Sequence, residues 1–483
     1  MAKSITKNTL YNILLNVSSV IFPLITAPYV SRVLEPDGVG LFNFASTYAS
    51  YFALVAMLGI PTYGVREVAK VRDDKESLTE LVSQLMSIAT FSTLGVTFIY
   101  LLTVFWVGQL RANYIVFILA GFAIYLAPFK INWYYQGREE FGFITLRTLI
   151  IRTLSLLGLF LFVHEKKDLI IYIILCVFGG VLADFWNYVK MWRSGMRPHL
   201  TTKGLKPHIQ PLMVLFASTV AISVYTVLDT IMLGFIKDYE EVGYYTNAMH
   251  LTRILITAVT SLSVVALPRV AYYINKGDYV GFADLTEKSF SFVSFLSFPA
   301  AFGLASISSV FVPLFFGSEF MGSVVPTMIL SMLIVVIGLN NITGNQILVG
   351  AGHDKLFLFS MISGTVSNLI MNSILIPIAG AIGASIASVI AESIVLVSSG
   401  ILVYKHIPIK PINLKDIIKS FLGSLSFIPL IMALARVFSG WTLVGVFIAA
   451  GTCIYFLIEF FLKNSSVDTC LQVMKRKLNR NKL

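Results

Sequence analysis

The chain has little charge, cysteine or histidine. Asp, Glu, Lys and Arg make up only 13% of its 483 residues, against 57% hydrophobic residues and a mean hydropathy of +0.82. An ordinary soluble domain carries about 25% charged and roughly 45–50% apolar residues, so the shortage of charge excludes a large soluble domain. Three cysteines, Cys176, Cys453 and Cys470, fall in or near apolar segments without metal-ligand spacing. They indicate neither a disulfide framework nor a metal site, and no cofactor is implied. The six histidines are scattered and the loops short, unlike the clustered Asp, Glu and His of acid–base or metal chemistry. The net charge of +11 does not point to nucleic acid, because the basic residues sit in short loops between apolar runs, where membrane topology puts them.

What the chain has in abundance is apolar runs of about 20 residues, each long enough as a helix to cross a hydrocarbon core of roughly 30 Å. This is an all-α integral membrane protein. Windows between polar punctuation give about 14 spans, at 9–31, 39–60, 81–106, 112–134, 141–163, 168–192, 210–235, 242–267, 286–311, 323–347, 355–378, 380–404, 416–436 and 440–462. The first is about twice the length of a signal-peptide apolar region and has no clear cleavage site, so it reads as a retained helix. Pro23, Pro28, Pro128 and Pro299 predict kinks inside spans.

With a cytoplasmic N-terminus, the inner loops hold Arg66, Lys70, Arg72, Lys75, Arg138, Arg193, Arg197, Lys203, Lys206, Arg269, Lys276, Lys355, Lys405, Lys410 and Lys415. The tail adds Lys475, Arg476, Lys477, Arg480 and Lys482. The outer loops hold Arg32, Arg111, Lys166, Lys167, Lys237 and Arg436, a bias of about three to one or better that puts both termini inside. Two amphipathic stretches, Tyr63 to Leu81 and Val467 to Leu478, read as anchors at the inner membrane surface.

An internal repeat organises the chain. Val39-Gly40-Leu41-Phe42 opens the second span and Val242-Gly243-Tyr244-Tyr245 the eighth, each after an acidic loop. The same register sets Ala45 against Ala248 and Arg66 against Arg269. Repeats offset by an even number of spans share one orientation. The chain therefore reads as two six-span lobes, 1–207 and 208–410, around a central cleft. Residues 411–483 add two helices and a basic tail. Transport by rocking one lobe against the other is the default expectation of such an architecture.

Two motifs, Pro28-Tyr29-Val30-Ser31-Arg32-Val33-Leu34-Glu35-Pro36-Asp37-Gly38-Val39-Gly40 and Gly59-Ile60-Pro61-Thr62-Tyr63-Gly64-Val65-Arg66-Glu67, resemble the opening signature of the Wzx-like polysaccharide-biosynthesis flippases. These belong to the multidrug, oligosaccharidyl-lipid and polysaccharide exporter group. Asn132-Trp133-Tyr134-Tyr135-Gln136-Gly137 resembles the motif that ends the family's fourth span. Asp229-Thr230-Ile231-Met232-Leu233-Gly234 resembles the one joining spans seven and eight. Glu35 departs from the family, where Gly is more usual, and spans thirteen and fourteen carry no family motif. The resemblance implies a V-shaped two-lobed bundle in the bacterial cytoplasmic membrane. Its cargo would be an undecaprenyl-diphosphate-linked oligosaccharide, moved from the inner to the outer leaflet for O-antigen, capsule or exopolysaccharide assembly. A polysaccharide polymerase and a chain-length regulator are the implied partners, beside membrane lipids.

An ionisable group at membrane depth costs a few kcal/mol or more unless paired or wet, so each is a functional candidate. Arg147 lies about 9 Å from the inner face on span five, and Asp184 at similar height on span six, which predicts a structural ion pair. Arg253 and Glu392 fall near the midplane of the second lobe. They either neutralise each other or, with His250 three residues before Arg253, form a wet cluster suited to a phosphate. Arg152, about 16 Å deep, has no acid at its height in its own lobe. A guanidinium grips two phosphate oxygens at once and stays charged, so Arg152 and Arg253 are the candidate diphosphate ligands. Lys130 and Asn132 are placed for first contact. Arg32 and Asp229, near the outer ends of spans one and seven, are a candidate gate. Glu392 and Asp229 are candidates for ion or proton coupling.

A sugar needs hydroxyls, amides and aromatic faces. Asn12, Asn16, Tyr48, Tyr225, Tyr245, Asn247, Asn341 and Asn345 supply them, as do Tyr11, Tyr29, Asn43, Tyr51, Asn340 and Gln346, on spans that line the cleft in the resembling family. Two rival readings remain at this point. One is a cation-coupled multidrug exporter of the same group, which predicts deep acids and a less basic cleft. The other is a membrane polymerase or glycosyltransferase acting on the same lipid.

Overall fold

The computed structural model describes residues 5–407 and 414–468. The tail anchor, Cys470 and Lys410 therefore lie outside the described residues, apart from Val467 and Asp468 of the tail. Contacts divide the chain between Val242 and Gly243, one helix later than the repeat boundary read at 207/208.

The first unit begins with α1 (Ile5–Met57), followed by α2 (Ile60–Val71) and α3 (Lys75–Trp106). At 53 residues α1 is about 80 Å long, enough to cross a bilayer twice. Its break is at Glu35, with φ 58° and ψ 176°, directly before Pro36. Asp74 caps α3, accepting from the Glu76 backbone N–H at 3.0 Å and from the Ser77 hydroxyl, and these donors hold its carboxyl below the usual carboxylate range.

The fourth span is not one helix. It runs through α4 (Gly108–Ala112), α5 (Tyr114–Ala120), α6 (Phe122–Tyr125), a 3-10 turn (Ala127–Phe129) and α7 (Asn132–Gly137). Pro128 sits in that turn, where its missing N–H breaks the ladder. Next come α8 (Phe141–Phe162), α9 (Leu169–Arg193) and α10 (Lys206–Ile236).

Two of the signature motifs are packing devices. A Cβ on Gly64 would stand 2.5 Å from the Trp133 ring, and one on Gly137 would stand 2.6 Å from Val68. Only hydrogen at these positions lets α2 lie against α7. The Tyr63 hydroxyl then meets His208 at 2.8 Å, and His208 meets Gln84 at 2.8 Å, tying α2, α3 and α10 together.

The second unit takes most of α11 (Tyr239–Asn275) and α12 (Tyr279–Phe316). The tenth span is α13 (Val324–Leu330), α14 (Met332–Asn340) and a π-helix (Asn341–Val349). α15 (Asp354–His406) is again a double-length helix, broken at Gly380 where φ is 52°. It is followed by α16 (Leu414–Ser424), α17 (Phe427–Leu434) and α18 (Gly440–Phe461). The last pair of spans is integral to this unit: Phe427, Phe447 and Tyr455 bury against Phe295 and Ile307 of α12. The Tyr455 hydroxyl donates to the Phe295 carbonyl at 2.9 Å.

Among the described residues, nine helices are long and apolar enough to cross a membrane, or eleven with each bent pair taken as one span. Two of the nine segments run 62 and 53 residues, more than twice the length one crossing needs, and are broken at Glu35 and Gly380, so the count is consistent with about 14 spans.

Candidate functional site

A cavity of about 580 Å³ lies within the first unit, walled by α1, the 3-10 turn and start of α7, α8 and α9. On α9, Tyr172, Cys176, Gly179, Gly180, Ala183 and Asp184 line it, spaced so that they recur on one helical face. The small residues open the volume: a Cβ built on Gly180 meets nothing within 4 Å. Near the C-terminal half of α8 the wall is mostly apolar, with Leu156, Leu159, Phe22 and Leu175 beside Ser155. Near its N-terminal half the wall carries Lys130, Asn132, Arg147, Thr148 and Asp184, with Arg152 between the two zones.

Each cation is held by neutral acceptors. Lys130 Nζ donates to the Ala123 carbonyl at 2.8 Å, and Arg152 Nη1 to Ser18 Oγ at 2.5 Å. Arg147 Nη1 donates to Asn187 Oδ1 and to the Ala183 carbonyl (3.1 Å), and Nη2 to Asn132 Oδ1 (3.2 Å). Asn187 Nδ2 closes the triangle onto Asn132 Oδ1 at 3.0 Å. Arg147 and Asp184 therefore form no contact ion pair, though they stand near enough to act on each other through space; the guanidinium's hydrogen bonds go instead to Ala183 and Asn187 of α9 and to Asn132 of α7. Sequence height set the two at one level but left their rotation about the helix axes open.

Lys130, Asn132 and Arg152, read from the sequence, thus share one cavity wall with Arg147 and Asp184. Arg253 and His250 lie exposed on α11 of the second unit. In that unit the Glu392 carboxylate accepts from Asn340 Nδ2 at 2.7 Å. Tyr245 is buried with its hydroxyl 3.1 Å from Ser388 Oγ, and Asn247 is buried as well. Asn341 opens the π-helix, which leaves Asn345 exposed and buries Gln346 against Ser289 at 2.7 Å.

In the first unit Asn12 and Asn16 are exposed on α1. Tyr48 belongs to an aromatic cluster with Phe44, Tyr100, Phe117 and Phe235, its hydroxyl 3.0 Å from Thr103 Oγ1. Arg32 is exposed and Asp229 buried. The side chain of Tyr225 is not among those described. Asn187 was missed. Its signal was present in Tyr172, Cys176, Gly179, Ala183 and Asn187, a small and polar face at helical spacing in an otherwise apolar segment.

Comparison with known proteins bears on this arrangement. A protein of Escherichia coli (strain K12), provisionally assigned as an O-antigen transporter, is 24% identical over 81% of this chain and 95% of its own. Capsular polysaccharide biosynthesis protein CapF of Staphylococcus aureus is 23% identical over 81% and 97%. The solved structure of the lipid II flippase MurJ in an inward closed conformation superposes with a TM-score of 0.77, at 16% identity, over 94% of this chain and 99% of that one, which establishes a shared fold. Residues 5–274, more than half of the sequence, match the family described as polysaccharide biosynthesis protein, and the chain belongs to that family.

Proposed function

We propose that this chain is a flippase. It moves an undecaprenyl-diphosphate-linked oligosaccharide repeat unit from the inner to the outer leaflet of the bacterial cytoplasmic membrane by alternating access, with both termini cytoplasmic. Membership of the polysaccharide biosynthesis family, and relatives assigned to O-antigen transport and capsular polysaccharide biosynthesis, support glycan transport. One observation carries the choice of an anionic head: Lys130, Arg147 and Arg152 line a single cavity between membrane-length helices with one carboxylate, Asp184, beside them. Three cations against one acid at membrane depth favour an anion of about two charges, as a diphosphate diester has. Asn132 braces the site. Arg253 and His250 are proposed as the second lobe's contribution, Arg32 with Asp229 as the gate and Glu392 as the coupling group. The exposed amides Asn12, Asn16 and Asn345 are the best placed of the proposed sugar contacts, and a polymerase and chain-length regulator are the proposed partners.

A cation-coupled drug exporter takes support from Asp184, a deep acid in the first lobe, but three cations on the same wall oppose a cationic cargo. Leaflet-resolved transport of a defined lipid-linked oligosaccharide in proteoliposomes, comparing wild type with Arg152→Ala and Arg253→Ala, tests the proposal. Loss of transport is expected in each variant. Unchanged transport in both overturns the diphosphate assignment, and a wild-type protein that moves an organic cation but not the glycolipid overturns the flippase reading.

A further inference from the structure

Asp184 is 9% exposed and lines the cavity of the first unit. Among the described residues, none donates a hydrogen bond to it or forms an ion pair with it, since the neighbouring cations are taken by Ala123, Asn132, Asn187 and Ser18. Lys130 and Arg147 stand near enough to offset part of the Asp184 charge through space, but its lone pairs accept from no donor among the described residues, which is costly for a group this buried. Its place on a cavity wall is explained by a ligand that brings the donor. The wall thus offers two contacts side by side, cations for an anion and an acceptor for an O–H or N–H. A bare phosphate ester meets the first and is repelled by Asp184. A phosphate with a hydroxyl or amide N–H a few bonds away meets both.

We propose that Asp184 is a specificity-determining residue. It accepts a hydrogen bond from the sugar nearest the diphosphate while Lys130, Arg147 and Arg152 hold the phosphates, so that glycosylated carrier is taken and bare carrier refused. This rests on the flippase reading above. An ethanolamine phospholipid carries the same chemistry, a phosphate with a nearby donor, and the test must separate the two sources.

The full chain in nanodiscs free of ethanolamine lipid is titrated with undecaprenyl diphosphate and with undecaprenyl-diphosphate N-acetylglucosamine. Phosphatidylethanolamine serves as competitor, and the melting temperature reports folding. Wild type is expected to prefer the glycosylated probe by roughly ten- to hundred-fold, the worth of one charge-assisted hydrogen bond. Asp184→Ala is expected to bring the preference to within about threefold, with weaker binding of the glycosylated probe and tighter binding of the bare one. Asp184→Asn keeps the shape and one acceptor, so it tightens the bare probe and lowers the preference through that change. It carries the comparison if the alanine variant does not fold. A preference equal in wild type and variants overturns the assignment, as does displacement of the glycosylated probe by an equal concentration of phosphatidylethanolamine. Wild type that binds neither diphosphate probe overturns the flippase reading instead.

Discussion

Asn132 and Asn187, 55 residues apart in the chain, are joined side chain to side chain at 3.0 Å, and both direct their oxygens to Arg147. The triangle fixes a guanidinium at membrane depth without neutralising it. A carboxylate partner would have cancelled the charge, whereas the two amides and the Ala183 carbonyl hold Nη1 and Nη2 and leave the field of the cation in the cavity; Nε is buried without a hydrogen-bond partner among the described residues.

Asn187→Ala removes one strong acceptor from Arg147 and one donor from Asn132. A hydrogen bond to a charged group is worth about 1.5–3 kcal/mol, so a comparable loss of stability is expected in thermal unfolding. The double variant with Asn132→Ala is expected to lose less than the sum of the singles, by roughly 0.5–3 kcal/mol. Strict additivity would show that the triangle is not a unit.

Gly180→Leu fills the cavity. Since a Cβ there meets open space, and leucine gains roughly 0.5–1 kcal/mol of helix propensity over glycine, the variant is expected to melt no lower than wild type and yet to lose transport. Gly95→Leu on α3, which also meets nothing within 4 Å and does not line the cavity, is the control expected to transport normally. Equal transport by both variants would remove the cavity from the cargo's path.

Much of this fold was legible because one term dominates it. Withdrawing backbone and charge from water in a bilayer costs so much that apolar runs and loop charges must mark spans and sides. The breaks at Glu35 and Gly380 were likewise readable, from the acidic loop Glu35-Pro36-Asp37 and from the boundary between the spans at 355–378 and 380–404. The site was readable only in part. Hydropathy and residue counting give the depth of Arg147, Arg152 and Asp184, but rotation of one helix against another decides which amide reaches Arg147, and that depends on packing partners distant in sequence. The same limit hid the role of Tyr48, whose ring joins an aromatic cluster in the first unit.

Glu35 holds φ 58° and ψ 176°, a region that glycine enters freely and that costs other residues of order 1–3 kcal/mol. Its carboxylate pairs with Lys166 at 2.8 Å, but both side chains are about half exposed, and such pairs contribute about 0–1 kcal/mol. Glu35→Gly is therefore expected to raise thermal stability, by about 1 kcal/mol. A lower melting temperature would show that the Lys166 pair outweighs the backbone term.

Arg32 and Asp229 test the proposed gate by charge reversal. Arg32→Asp and Asp229→Arg are each expected to impair leaflet-resolved transport, and the double reversal to restore it. No rescue in a well-expressed double variant would sink the gate.

Asp416 anchors the last pair of spans. It is 2% exposed and accepts from Ser291 of α12 at 3.0 Å, from Lys419 at 2.8 Å and from the Ser465 hydroxyl, while Lys419 also donates to the Lys463 carbonyl at 2.8 Å. One carboxylate thus ties α16, the segment that follows α18, and α12. Asp416→Ala strands three donors among the described residues and is expected to cost roughly 3 kcal/mol, the lower end for breaking a buried pair because Lys419 stays partly exposed. Asp416→Asn keeps an acceptor and should lose less. Protease accessibility of residues 462–464, directly after α18, reads the effect locally, and it should rise in the alanine variant before global unfolding. Unchanged accessibility together with an unchanged melting temperature would show that the apolar contacts of Phe427, Phe447 and Tyr455 hold the pair without the clasp.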